Sequence, residues 1–94
     1  MPVSGRYLEV TYRDGAPLAA YLYLARRQGD TCARTEKVED GLIVDFDEDG
    51  QPIGVEITEP SLIETDVVND VLERLGLARL SPEELAPVRD ARTP

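Results

Sequence analysis

Four acidic side chains stand at the spacing with which alternate carboxylates converge on a divalent cation. Asp45, Asp47 and Asp49 are followed by Gly50 and then by Glu56, which reproduces the D-x-D-x-D-G-x5-E string of a calcium loop. In such a loop the glycine makes the sharp turn and the terminal Glu adds two further oxygens. The loop also needs a helix on each side. Here the flanks are Leu42-Ile43-Val44 and Ile53-Gly54-Val55-Glu56-Ile57, which are β-branched and alternate. The pattern therefore predicts a β-hairpin, with Asp45 and Glu56 on one side of a sheet and Asp47 and Asp49 crowding the turn. Asp and Gly are in any case the residues a turn selects, through local side-chain bonds and a left-handed backbone. A weak cation site built from Asp45, Asp47, Asp49 and Glu56 is the metal alternative; no other metal and no cofactor is expected.

Other chemistry is mostly excluded by what is missing. The chain has no histidine and one cysteine, so it lacks a Ser-His or Cys-His pair and the usual ligands of zinc and non-haem iron. Cys32 cannot close an internal disulfide, which fits a reducing compartment, and it reads as a small apolar residue on or near a sheet. Carboxylate pairs such as Asp45 and Asp47 need a dry pocket or a close like charge to separate their pKa values. A turn provides neither. No phosphate-cradling glycine loop is present. The expectation is a protein that is not an enzyme.

Nineteen acids against ten bases give a net charge of −9 over 94 residues. The imbalance sits mainly in residues 36–59, which carry nine acids and one lysine. Nucleic-acid affinity depends on clustered Lys and Arg, so neither DNA nor RNA is an expected partner. A basic protein is, because complementary potential speeds encounter. The first ten residues are too polar for a signal peptide, and the longest apolar run, Ala16 to Ala25, is too short for a bilayer span. The expected location is the cytoplasm.

Hydrophobic residues at 41% suffice for one small core. Up to Thr58 the rhythm has a two-residue period. Leu8, Val10 and Tyr12 alternate with Tyr7, Glu9 and Thr11, and Asp14-Gly15 is a hairpin signal. Leu18, Ala20, Leu22 and Leu24 oppose Tyr21 and Tyr23, with Pro17 at the loop exit or an edge. Residues 26–30 read as a loop and Thr31 to Val38 as an exposed or edge strand. Leu42, Val44 and Phe46 form one inward set; Ile53, Val55 and Ile57 form the next. After Pro60 the period becomes helical. Ser61 with Glu64 has the spacing of a capping box, Val67, Val68, Val71, Leu72 and Leu75 make the apolar stripe, and Gly76 ends it. A second box, Ser81 with Glu84, opens a short helix that Pro87 disturbs, and the last residues fray. The prediction is an α+β domain over 1–80: an antiparallel β-meander of about five strands over 6–58, with a helix over 61–75 packed on one face. Residues 81–94 form a short helix and tail that dock either in cis or on another chain.

The run from Thr35 to Ile57, TEKVEDGLIVDFDEDGQPIGVEI, together with Ala20-Tyr21-Leu22-Tyr23-Leu24, resembles a family of small bacterial and archaeal proteins catalogued as Domain of Unknown Function twenty-two eighty-three. Its members read "LYI" and then "T-E-E-V-x-D-G-V-I-x-D-Y-D-x-x-G-x-x-V-G-I-E-I". The likeness covers about residues 7–58. It departs where members carry an Asp before the Leu-Tyr pair and this chain has Ala20 and Tyr21. The resemblance carries over no catalytic residue. What it implies about partners is an antitoxin-like role beside a basic toxin.

One helix covers one face of a sheet, and Tyr7, Tyr21 and Tyr23, with Ile43 beside them, fall on the other. Tyrosine combines a large apolar ring with a polar tip and is enriched in interfaces. These four residues are therefore the expected interface, and the expected function is protein association, first as a homodimer.

Overall fold

The computed structural model describes residues 6–24 and 31–92. The expected loop at 26–30 lies outside the described residues. Five strands, β1 (Tyr7–Arg13), β2 (Ala16–Tyr23), β3 (Arg34–Glu39), β4 (Leu42–Phe46) and β5 (Pro52–Ile57), precede two helices, α1 (Thr65–Arg74) and α2 (Pro82–Arg92). All neighbouring strands are antiparallel. The sheet order is β1-β2-β5-β4-β3, so the last strand in the sequence fills the centre. The α+β class and the meander-like sheet are as the alternation predicts.

Asp14 and Gly15 both take positive φ, 53° and 80°, the conformation that lets a two-residue turn follow the twist of its strands. The register then slips once. Thr11 pairs with Ala19 and Tyr12 with Pro17, leaving Leu18 as an extra residue in β2. That bulge turns Leu18 out of the inward set that alternation assigned to it, and it is exposed. Pro17 pairs within β2 rather than lying beyond the strand.

Both helices pack on the same side. Leu22, Leu42, Val44, Val55 and Ile57 of the sheet meet Val68, Val71 and Leu72 of α1, Leu80, and Val88 of α2 in one buried cluster. Helix α1 opens later than the Ser61–Glu64 spacing predicts, at Thr65. Pro60, Ser61 and Leu62 instead form a turn closed by the Leu62 N–H on the Glu59 carbonyl, 3.0 Å, which delivers Ile63 to the core. Glu64 is the N-cap and makes no side-chain cap bond. The other end follows the sequence. Gly76 N–H bonds to Glu73 O and Leu77 N–H to Leu72 O, 3.0 and 2.8 Å, the paired bonds of a Schellman motif.

The second capping box forms in both directions, Ser81 N–H to Glu84 Oε1 at 2.9 Å and Glu84 N–H to Ser81 Oγ at 3.2 Å. Helix α2 then continues through Pro87 to Arg92 instead of breaking. Proline there removes one bond to the Glu83 carbonyl, but Val88, fully buried in the next turn, holds the helix against the sheet. Arg6 fixes the docking: its Nε donates to Glu84 Oε2 at 3.2 Å and its terminal nitrogens to the carbonyls of Ala78 and Arg79 at 2.6 and 2.8 Å. The segment 82–92 therefore docks in cis, over β1 and β2.

Candidate functional site

With both helices on one side, the opposite face of the sheet is uncovered by any other described element. Strand register sets out its side chains in two rows. Tyr7, Tyr23, Gly54, Asp45 and Thr35 follow one another across β1, β2, β5, β4 and β3. Beside them run Glu9, Tyr21, Glu56, Ile43 and Lys37. All four residues expected at an interface thus lie on this face.

The three tyrosines touch. The Tyr7 and Tyr23 rings stack with centroids 4.6 Å apart, and Tyr21 meets Tyr23 edge-on at 4.7 Å. The Tyr21 ring crosses Gly54 and its hydroxyl donates to Asp45 Oδ2 at 2.6 Å. A Cβ on residue 54 would occupy the volume of that ring, so glycine is what lets tyrosine reach across a strand to a carboxylate. The Tyr23 hydroxyl donates to Glu9 Oε1 at 3.3 Å. Ile43 is kept apart from the aromatic group, because Glu56 stands between it and Tyr21 in the register.

The face is acidic as well as aromatic. Glu9, Asp45 and Glu56 share it with two bases, Arg13 at the end of β1 and Lys37, whose ammonium pairs with Asp40 at 3.3 Å. Glu56 is half-buried in the central strand, and no hydrogen bond or ion pair reaches its carboxylate among the described residues. A carboxylate in that position has lost part of its hydration without a compensating cation.

The calcium-like string does fold as a hairpin. Asp47 is 7% exposed, and its Oδ1 accepts from the backbone N–H groups of Asp49 and Gln51, both at 2.9 Å. Its carboxylate is spent on the turn. Asp45 and Glu56 point to the open face, as the alternation predicts. Among the described residues no group of three or more His, Cys, Asp or Glu is placed to hold a metal ion. Cys32 is exposed, with its thiol on the Arg34 carbonyl. No described helix is long and apolar enough to cross a membrane.

Residues 19–61 match the family model described as "Protein of unknown function (DUF2283)". The matched segment, just under half of the chain, supports a domain of unknown function of that family. The DUF2283 segment begins at Ala19, so it contains Tyr21, Tyr23, Ile43, Asp45, Gly54 and Glu56 but neither β1 nor the two helices. No curated protein and no solved structure matches the chain. All but two of the residues in these rows therefore lie in the matched segment, and Tyr7 and Glu9 are added by β1.

Sequence reasoning passed over three residues that shape this arrangement. Gly54 was legible in principle, since an interior strand glycine marks a close approach. Asn69 is buried in α1 and accepts the Leu80 N–H at 2.7 Å, tying the interhelical segment down. Arg6 anchors α2 from the start of the alternating first strand, whose period says nothing of a helix 78 residues further on.

Proposed function

We propose that this protein is a non-enzymatic association module whose open sheet face binds a basic segment of another protein. The observation that carries the proposal is the half-buried Glu56 beside the tyrosine group, whose carboxylate has no hydrogen-bond or ion-pair partner among the described residues. An incoming arginine or lysine supplies the missing counter-charge, and its alkyl stem and cationic head suit tyrosine faces. Glu9 and Asp45 flank the same surface, and the chain's net charge of −9 draws a basic partner in. A second copy on this face fits less well: Glu9, Asp45 and Glu56 would meet the same three carboxylates.

An oligoarginine peptide is the direct probe. Titration calorimetry is expected to show binding that Glu56→Gln and Tyr21→Ala each weaken strongly. Glu48→Gln makes the same charge change on the exposed turn and should leave affinity nearly intact. Equal losses from Glu56→Gln and Glu48→Gln would mean that net charge alone draws the peptide.

A further inference from the structure

The sheet has two edges, and they differ. At one, β3 sets Arg34, Glu36, Lys37 and Glu39 within six residues and carries an irregularity at Val38, which has no partner between Lys37 and Glu39. Charges and bulges of this kind keep a strand from pairing with another chain. At the other edge, β1 is seven residues long, YLEVTYR, with its charges confined to Glu9 and Arg13. Three of the four large hydrophobic residues exposed among the described residues, Tyr7, Tyr12 and Leu18, lie on the β1–β2 hairpin. Arg13 makes no ion pair among the described residues, and no described strand pairs with the outer side of β1.

We infer that β1 pairs antiparallel with β1 of a second copy about a two-fold axis through Thr11, joining two sheets into one. The partner follows from the strand's own sequence. A two-fold axis normal to the sheet keeps each face on its own side, so opposed residues must point the same way. Centring on Thr11 meets that condition and sets Glu9 opposite Arg13 of the second copy, Val10 opposite Tyr12, and Thr11 opposite itself. Opposite charges, an aromatic against a β-branched residue, and Thr–Thr are all pairings that stabilise antiparallel strands. A centre at Glu9 would oppose like charges, and one at Val10 would leave Glu9 facing threonine. The register also stops short of Arg6, where the 78–84 segment already occupies the start of the strand. Hydrogen bonding at this edge lies in the plane of the sheet and leaves α2 in place. The two tyrosine-bearing faces then become one continuous surface.

Sedimentation equilibrium of the full chain tests the inference through a charge swap. The wild type is expected at twice the monomer mass. Arg13→Glu turns two attractive pairs into two repulsive ones and should raise the dimer Kd about tenfold or more. Combining Arg13→Glu with Glu9→Arg restores the opposed charges and should restore the dimer. Thr11→Lys, which puts two ammonium groups on the axis, should give monomer, with circular dichroism showing the fold intact. A monomeric wild type, a dimer indifferent to Arg13→Glu, or a double variant no tighter than the single one would overturn the proposal.

Discussion

The two faces of this one sheet are built from the same five strands and obey different rules. On the covered face, Leu22, Leu42, Val44, Val55 and Ile57 are fully buried. Their contribution to stability is the removal of apolar area from water, together with close packing against α1 and α2. On the open face large apolar groups stand beside polar ones, Tyr21 with Asp45, Tyr23 with Glu9 and Ile43 beside Glu56, while Tyr7 stacks on Tyr23. Such a surface stays hydrated as a monomer and still offers flat aromatic area to a partner. A sheet can thus separate folding from recognition by residue parity alone, since neighbours in the chain point to opposite faces.

That separation breaks if substitutions on the two faces cost the same. Leu22→Ala leaves a cavity in the covered face and is expected to lower stability by about 2–5 kcal/mol, read as a fall in the urea midpoint. Tyr7→Ala, on the open face, should change it by well under about 1 kcal/mol. Asn69→Ala attacks the covered side by a different route. It orphans the Leu80 N–H in a dry environment, for about 1–3 kcal/mol, and hydrogen exchange at Leu80 should speed up more than exchange within the sheet.

Gly54→Ala sharpens the comparison from the other side. The new methyl displaces the Tyr21 ring and breaks its bond to Asp45, costing about 1 kcal/mol, while the Tyr21 ring resonances shift and those of the buried leucines stay. The smallest effect is at Glu84. The Ser81 backbone N–H, and then the Arg6 guanidinium, hold its carboxyl below the usual carboxylate range despite partial burial. A group whose pKa is depressed by folding adds stability above its unfolded pKa and loses it as pH falls through the folded value. Glu84→Gln should therefore narrow the stability gap between neutral and acidic pH slightly.

Much of the fold was legible from period and turn chemistry. The alternation around Leu22, Val44 and Val55 assigned faces correctly, because a buried face tolerates no slip of one residue. Asp14-Gly15 and Asp47 to Gly50 marked their turns for stereochemical reasons that are local. What stayed hidden depends on distant partners. Nothing local says that β5 pairs with β2 as well as with β4. The bulge at Leu18 arises from pairing with β1, and the delayed start of α1 from the need to bury Ile63. The open face was legible as a set of tyrosines. Its acidic character was legible in part, since alternation alone places Asp45 and Glu56 on the side away from Leu42, Val44 and Val55. Only register reveals that Glu56 neighbours Tyr21.

The central place of β5 has a kinetic consequence. The β1–β2 and β3–β4 hairpins can each close locally, but nothing joins them until residues 52–57 slot between Tyr21 and Val44. The contacts of Ala20 with Ile57 and Tyr23 with Gly54 span long loops whose closure entropy must be met before any burial rewards it. On a ribosome, the sheet is expected to wait for its final strand to emerge, and pairing of that strand with β2 is the expected slow step of folding.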